Sequence, residues 1–223
     1  MRKKLPLLPE KKIVFPREDF RKTNEWRMFR IMSEFTTGFQ FIADFKKSVA
    51  IFGSANATPK DAHYQEAMKL AKLLAKKGYT IITGGGPGIM EAANRGAYEA
   101  GGESVGLNIE LGEGERINNY VKKSIGFHYF FVRKVIFSFA CSNYVFFPGG
   151  YGTLNEFFEM ISLIQTKKIS QPKSVIVVDK KFWQPLLDWL ENDVYLKYKS
   201  IEKQDLKIIK QVDTIKQAAE IVE

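Results

Sequence analysis

The sequence predicts an α/β protein whose parallel sheet is covered by helices on both faces. Short apolar runs alternate with amphipathic helical patterns from Ser48 to the end of the chain. The runs are apolar throughout, which is typical of strands buried on both faces. Two of them end in glycine-rich turns that lead into helices. Such strand–turn–helix repeats indicate parallel strands joined by crossover helices.

Size and composition indicate a globular protein. The 223 residues suffice for one α/β domain or two small ones, and 45% of them are apolar while 26% are charged. No apolar run approaches the roughly 20 residues that a membrane-spanning helix needs. The apolar run 5–9 is too short and too rich in proline for the core of a signal peptide. We therefore expect a cytoplasmic protein with no membrane partner.

Cysteine and histidine are scarce, which bears on compartment and on metal binding. The single cysteine, Cys141, excludes an internal disulfide and is typical of a reducing compartment. It lies in an apolar stretch, which favours a core position over a nucleophilic role. Together with His63 and His128 it forms no spacing typical of a metal site. We expect no metal and no cofactor.

The net charge of +9 is concentrated at the N-terminus. Residues 1–30 contain ten lysines and arginines and four acidic residues, an excess of six. No RNA-recognition, helix-turn-helix or zinc-finger pattern accompanies these charges. We interpret residues 1–22 as a solvated basic arm, with a weak contact to a polyanion as the alternative, and we expect no nucleic-acid partner.

Residues 23–47 predict a separate N-terminal helix. Apolar residues recur in it at or beside helical spacing: Trp26, Met28, Phe29, Met32, Phe35, Phe39 and Ile42. A stripe this aromatic must be covered, either by the main domain or by a second subunit. We favour packing over a base-stacking role for these rings.

The main domain is predicted to cover residues 48–223. Its predicted strands are 49–52, 79–82, 105–109, 143–147 and 174–178, and its helices are 61–77, 89–100, 130–140, 154–165, 182–196 and a last one from 213. In the helix 61–77, Ala67, Leu70 and Leu74 share one face, and Gly78 follows as a stop signal. The interval 112–120 is predicted as a polar loop.

The turn after the fourth predicted strand has the features of an anion site. Its sequence, Pro148-Gly149-Gly150-Tyr151-Gly152-Thr153, connects a buried strand to the start of a helix. Such a turn aims backbone N–H groups at one point, next to the positive end of the helix dipole. Thr153 can add a hydroxyl, and the carboxylate of Glu156 lies one turn further on. The alternatives are that the glycines only connect two elements and that Glu156 only caps the helix.

A second glycine-rich turn, 84–88, favours ligand binding over a mere connection. It follows the second predicted strand, so both turns lie at the carboxyl edge of a parallel sheet, where ligands bind. Two such turns indicate a phosphorylated small molecule. The P-loop pattern is absent and the turn does not fit G-x-G-x-x-G, which argues against a P-loop ATPase and a dinucleotide-dependent dehydrogenase.

Three motifs together resemble the Lonely guy family. They are Gly84-Gly85-Gly86-Pro87-Gly88-Ile89-Met90, Arg133-Lys134, and Pro148-Gly149-Gly150-Tyr151-Gly152-Thr153-x-x-Glu156. The resemblance implies a Rossmann-like doubly wound fold and a homodimer or larger homo-oligomer. It implies a phosphoribohydrolase, a hydrolase acting on a nucleoside 5′-monophosphate such as AMP or a cytokinin riboside 5′-monophosphate. Relatives are often labelled lysine decarboxylases, but no lysine here lies in a recognisable pyridoxal-phosphate context.

The resemblance also implies roles for individual residues. Arg133 and Glu156 match the family's catalytic pair, and Ser162 falls near the substrate. The set expected to bind substrate and phosphate is Gly149, Gly150, Tyr151, Gly152, Thr153, Lys134, Gly85, Gly86, Gly88, Ser54 and Ser162. Phe131 stands where short members have a histidine, the loop 111–115 departs from the longer members, and short plant-type members lack the helix 23–47. These departures leave the base preference open.

The charges of Glu156 and Arg133 also suit the cleavage of an N-glycosidic bond. Cleaving an N-glycosidic bond builds positive charge on the ribose ring. A carboxylate such as Glu156 stabilises that charge and helps to orient or deprotonate the attacking water. Arg133 offers a permanently charged fork for phosphate or for the surroundings of the departing base, with a structural ion pair to Glu156 as the alternative. The alternative function is a non-catalytic carrier of a nucleotide or of a ligand like the molybdenum cofactor, which would not need this pair.

Overall fold

Seven strands form the central sheet of the protein. The computed structural model describes residues 20–110, 117–169 and 174–222. Its strands are β1 Ser48–Phe52, β2 Thr80–Thr83, β3 Ser104–Ile109, β4 Lys123–Phe127, β5 Asn143–Phe146, β6 Ser174–Val178 and β7 Ile209–Val212. They lie in the order β4-β3-β2-β1-β5-β6-β7, and every neighbouring pair is parallel.

Helices cover both faces of this sheet. They are α1 Asn24–Ile42, α2 Ala62–Lys76, α3 Ile89–Glu99, α4 Phe130–Ala140, α5 Tyr151–Gln165, α6 Lys180–Trp189 and α7 Ile215–Val222. Short 3₁₀ segments lie at Phe20–Lys22 and Asp205–Ile208, and a π-helical segment, Leu190–Lys197, continues α6. The predicted Rossmann-like doubly wound α/β fold is therefore confirmed.

The alternation of side chains along each strand separates two apolar cores. In β1, Val49 and Ile51 point to one face, where they pack with residues of α2, α3 and α7. Ala50 and Phe52 point to the other face, where they pack with residues of α4 and α5. All five residues of β1 are buried, as expected for a central strand of a sheet covered on both sides.

The sequence prediction missed the two edge strands, β4 and β7. Lys123, Ser124 and Gly126 of β4 are exposed, and β7 exposes Lys210. An edge strand has one free side and tolerates polar residues, so its sequence lacks the apolar run used to identify the inner strands. The predicted helix 182–196 also differs, because it begins at Lys180 and changes to π-helical geometry at Leu190.

The apolar stripe of the N-terminal helix α1 is covered in part by the main domain. Ile42 is buried in the same core as α4, and Ile31 and Phe35 pack against that core. Other stripe residues remain exposed: Trp26, Met28, Phe29, Met32 and Phe39.

The homodimer or larger homo-oligomer stays a prediction, which light scattering can test. Residues 1–19 of the predicted basic arm and residues 111–116, which include the start of the predicted polar loop 112–120, lie outside the described residues.

The strand order reverses beside β1. The chain runs outward from β1 through β2 and β3 to β4, then returns to form β5 on the other side of β1. The loops that follow β1 and β5 therefore diverge and leave a crevice at the carboxyl edge of the sheet, which is where such folds bind ligands.

Among the described helices, none combines the length and the apolar character that crossing a bilayer requires.

We expect Gly96→Ala to destabilise the protein by about 1–3 kcal/mol, because a new methyl group would overpack the contact between α2 and α3. A Cβ at Gly96 would lie 2.1 Å from the carbonyl oxygen of Met68, which is backbone and cannot rotate away. Gly152→Ala is the matched control, since a Cβ there meets no atom within 4 Å. Urea unfolding of both variants measures the difference, and equal stability of the two would contradict this account of the packing.

Candidate active site

A cavity of about 330 Å³ lies in the crevice beside β1. Its lining comes from the end of β1 and the residues after it, from the turns after β2 and β5 with the first residues of the helices that follow them, and from Arg133 and Phe137 of α4. Six lining residues carry the chemistry considered below: Ser54, Gly84, Arg133, Gly150, Thr153 and Glu156. The volume is at the small end of the range for ligand pockets, about 300–1,000 Å³.

The turn after β5 is packed so tightly that it requires glycine. A Cβ at Gly149 would lie 2.2 Å from the hydroxyl oxygen of Thr153 and 3.0 Å from the carbonyl carbon of Gly53. The backbone N–H of Ser54 donates to the carbonyl of Pro148 at 3.0 Å, which joins this turn to the end of β1. The turn is thereby held against the carboxyl edge of the sheet.

Helix α5 begins inside this turn and not after it. The predicted start was residue 154, whereas Gly150 is the N-cap and Tyr151 the first helical residue. Gly150 has no side chain to cap the helix, and no described side chain takes that role. The N–H groups of the first turn have no partners within the helix, so they are available to an anion at the mouth of the cavity.

Glu156 lines the cavity with a buried carboxylate. Its side chain is 5% exposed, and neither carboxylate oxygen has a hydrogen-bond partner among the described residues. It lies six positions after the N-cap Gly150, which is too far along the helix for a capping role. Burial raises the pKa of Glu156 to about 7, and the nearby Arg133 guanidinium opposes that rise.

Arg133 faces Glu156 from α4. Its Nη2 lies 3.8 Å from the nearer carboxylate oxygen of Glu156, and its Nε is buried with no hydrogen-bond partner among the described residues. The guanidinium packs over the ring of Phe130, 4.6 Å from its centroid. Burial lowers the pKa of Arg133, and the charge of Glu156 opposes that effect. The two groups attract each other yet are too far apart for a hydrogen bond, so both retain hydrogen-bonding capacity for a ligand.

Both glycine-rich turns meet at Ser54. The N–H of Ile89 donates to the carbonyl of Ser54 at 3.0 Å. Gly88 has a φ of +72°, and a Cβ there would lie 2.3 Å from the same carbonyl oxygen. Gly88 therefore permits the contact, and the turn after β2 reaches the cavity through Gly84.

A network of polar side chains, missed in the sequence analysis, supports the turn after β2. The side-chain amide of Asn118 donates to the carbonyls of Gly85 and Gly86, at 3.0 and 2.9 Å, and to the side-chain oxygen of Asn94 at 2.9 Å. The hydroxyl of Thr83 donates to that same oxygen at 2.6 Å. Gly85 and Gly86 thus shape the turn from behind and are not among the cavity's lining residues. Asn118 lies in a polar loop, where no sequence pattern distinguished it.

Three further predicted residues line an open groove beside the cavity and not the cavity itself. Lys134, Tyr151 and Ser162 line this groove. The ammonium of Lys134 pairs with the carboxylate of Glu159, and the hydroxyl of Ser162 donates to the carbonyl of Phe158 at 2.8 Å. Tyr151 is 94% exposed.

Within the part of the chain that the structure describes, no group of three His, Cys, Asp or Glu side chains is placed to hold a metal ion.

We expect the stability of the protein to fall as the pH rises from about 4.5 to about 7, through Glu156. Its pKa is raised from 4.5 to about 7 on folding, so folding is favoured most when the carboxyl is protonated. The contribution is about 3 kcal/mol, present in full below pH 4.5 and lost as the pH passes 7. Urea unfolding across this range should show Glu156→Gln gaining stability relative to the wild type. Glu103→Gln, at an exposed surface ion pair, is the control, and parallel pH curves for wild type and Glu156→Gln would contradict the prediction.

Comparison with known proteins identifies the family. The family model described as "possible lysine decarboxylase" matches residues 90–222, more than half of the chain. A probable cytokinin riboside 5′-monophosphate phosphoribohydrolase of Arabidopsis thaliana, LOG6, is 28% identical over 155 residues, which cover 66% of this chain and 74% of that protein. The cytokinin riboside 5′-monophosphate phosphoribohydrolase of Rhodococcoides fascians is 26% identical over 149 residues, covering 66% of this chain and 75% of its own length.

The fold is also that of a solved carrier protein. The molybdenum cofactor carrier protein of Chlamydomonas reinhardtii superposes with a TM-score of 0.59 at 20% identity, over 79% of this chain and 96% of that one. A likeness at this identity shows the shared fold alone. The family-model match and the named relatives carry the assignment: the chain belongs to the Lonely guy family, whose family model is labelled "possible lysine decarboxylase".

Proposed function

We propose that this protein hydrolyses the N-glycosidic bond of a nucleoside 5′-monophosphate, releasing the free base and ribose 5-phosphate. The observation that carries the proposal is the carboxylate of Glu156, which is buried, lines the cavity and has both oxygens unpaired among the described residues. Leaving such a group without partners is unfavourable unless a ligand supplies them. Ribose hydroxyls and an attacking water are donors of the required kind.

The phosphate of the substrate is assigned to the turn after β5. No side chain among the described residues caps α5, so the N–H groups of its first turn lack intrahelical partners, and Thr153 beside them lines the cavity. A phosphate held there leaves its ribose to extend toward Glu156, one helical turn beyond Thr153. The substrate is then anchored at one end, with the reacting carbon near the carboxylate.

Glu156 is proposed to act on the anomeric carbon. As the bond to the base breaks, the electron pair leaves with the base and positive charge develops on the ribose ring. The ionised carboxylate stabilises this charge, and it accepts a proton from the water that attacks the same carbon. A pKa of about 7 suits a group that must take up a proton at neutral pH. The base takes up a proton in turn, so that one water is consumed per bond cleaved.

Arg133 is proposed to hold Glu156 ionised and to contact the substrate. Its charge lowers the pKa of Glu156, against the effect of burial. With Nε unpaired among the described residues, the guanidinium can also donate to a phosphorylated ligand or to the leaving base. The structural ion-pair alternative is less well supported, because the 3.8 Å separation leaves both groups without a mutual hydrogen bond.

The experiment that tests the proposal is incubation of the purified protein with AMP and with a cytokinin riboside 5′-monophosphate. Chromatography should detect free base and ribose 5-phosphate in equal amounts. The alternative, a non-catalytic carrier of a nucleotide or of a ligand like the molybdenum cofactor, predicts binding without products. A carrier has no need of a carboxylate placed where the ribose would lie, and for this reason we favour hydrolysis.

Glu156→Gln should lower kcat by about 10²–10³ while leaving the affinity for AMP largely unchanged. Glutamine keeps the size of the side chain but loses the charge that stabilises a cationic ribose, so the loss falls on the transition state. Arg133→Ala should lower both affinity and kcat, since it removes a cation that faces an anionic ligand. Steady-state kinetics and calorimetry separate the two effects, with Glu103→Gln as the control. A Glu156→Gln variant that loses affinity as severely as Arg133→Ala, yet turns over normally once bound, would show that Glu156 only binds.

Adenosine should bind at least roughly 100-fold more weakly than AMP, because hydrogen bonds to a charged phosphate contribute about 1.5–3 kcal/mol each. Gly149→Ala should abolish most of this difference, since the new methyl group would displace Thr153 from the turn. Calorimetric titration of both ligands into both proteins measures the effect. Equal affinities for AMP and adenosine in the wild type would contradict the assignment of the turn to phosphate.

A further inference from the structure

The N-terminal helix α1 caps the helix that carries Arg133. One carboxylate oxygen of Glu34 accepts a hydrogen bond from the backbone N–H of His128 at 3.2 Å, and the other accepts from the N–H of Tyr129 at 3.1 Å. Tyr129 is the N-cap residue of α4, and its own side chain makes no capping hydrogen bond. The cap of α4 thus comes from a different helix, nearly a hundred positions earlier in the chain.

A second contact, one turn further along α1, fixes the two helices together. A Cβ at Gly38 would lie 2.8 Å from the side chain of Ile136 on α4 and 3.1 Å from the ring of Phe127. Glu34 and Gly38 are four residues apart and share one face of α1. The carboxylate therefore approaches the start of α4, while the glycine lets the side chain of Ile136 lie against the backbone of α1.

The side chain of Glu34 is itself held in place. It is 14% exposed, and Nε of Arg30 lies 3.6 Å from one of its oxygens. The guanidinium of Arg30 also reaches the carboxylate of Glu110, at 3.2 Å. A negative charge beside the N-terminus of α4 is favourable on its own account, because it complements the helix dipole.

The position of Arg133 depends on where α4 begins. Its backbone N–H donates to the carbonyl of Tyr129 at 3.3 Å, so Arg133 lies one turn from the cap. Its guanidinium has packing partners on the same helix, the rings of Phe130 and Phe137, and these move with it. A shift in the first turn of α4 would therefore carry the guanidinium away from Glu156.

We propose that Glu34 is a positioning residue of the active site: from the N-terminal helix it fixes the first turn of α4 and so holds the Arg133 guanidinium beside Glu156. The inference rests on the proposed function for its role in catalysis. Its structural part, the placement of one charge beside another, can be measured without any substrate. α1 is then a working part of the site and not only an extension of the fold.

The test compares Glu34→Ala and Glu34→Gln with Glu25→Ala in the full-length protein. Glu25 is an exposed glutamate in the first turn of the same helix and serves as the matched control. The first readout is the pKa of Glu156, measured by carbon-13 NMR of its carboxyl, with Glu156→Gln identifying the signal. The groups whose charge changes the pKa of Glu156 are Arg133 and Lys134 on α4 and Glu159 on α5. The charge of Glu156 in turn contributes to the raised pKa of Tyr144 on β5. The second readout is kcat and KM for AMP.

Glu34→Ala should raise the pKa of Glu156 further, by up to about one pH unit, because the opposing charge of Arg133 moves away. It should also lower kcat by roughly 10- to 100-fold, the effect of a displacement of about 1 Å at a reacting centre. Glu34→Gln keeps one acceptor oxygen, so both changes should be smaller and in the same direction. Glu25→Ala should leave both readouts at the wild-type values.

The outcomes separate positioning from simple stabilisation. A folded Glu34→Ala that loses activity without moving the Glu156 titration would overturn the proposal, since a structural role predicts that pattern. Should Glu34→Ala fail to fold, Glu34→Gln decides, and its agreement with Glu25→Ala in both readouts would equally overturn it. If the wild type cleaves no nucleotide, the proposed function fails, while the titration of Glu156 still decides whether Glu34 positions Arg133.

Discussion

The site depends on one unusual pair of charges, a buried carboxylate and a partly buried guanidinium that do not hydrogen-bond to each other. At 3.8 Å the Arg133–Glu156 attraction offsets part of the cost of burying both groups, but among the described residues it leaves Nε of Arg133 and both carboxylate oxygens of Glu156 without a hydrogen-bond partner. A closer pair would satisfy itself and have little left for a ligand. A more distant pair would let burial neutralise Glu156. The separation is therefore the feature that the surrounding structure has to maintain.

Two close backbone contacts maintain the frame of the cavity. The turn after β5 rests against Gly53 and Ser54 at the end of β1, and the turn after β2 meets Ser54 through Gly88. Each contact exists because a glycine leaves no Cβ in the way. Since β1 lies at the centre of the sheet and all its residues are buried, both turns are anchored to a fully buried strand. The end of the cavity that we propose binds phosphate is thus built from turns anchored on β1.

The part of the cavity lined by Arg133 is built differently. It belongs to α4, whose N-terminus is capped by a side chain of the N-terminal helix α1. Glu34 satisfies two N–H groups at the start of α4, and Gly38 allows α1 to lie close against it. This arrangement ties an N-terminal helix to the Arg133 side of the cavity. Trp26, Met28 and Phe29 of the same helix are exposed.

The sequence by itself determined the α/β class, the inner strands, both glycine-rich turns and, through its motifs, the family. Those features depend on local patterns, namely apolar runs, helical periodicity and glycine spacing. Only the tertiary structure decided which motif residues meet: Ser54, Arg133 and Glu156 line one cavity, whereas Lys134, Tyr151 and Ser162 face an adjoining groove. The edge strands, the Asn118 network and the cap from Glu34 could also be recognised only in the folded structure. Each depends on contacts between residues far apart in the chain, and no local pattern encodes where a side chain from one helix reaches the backbone of another.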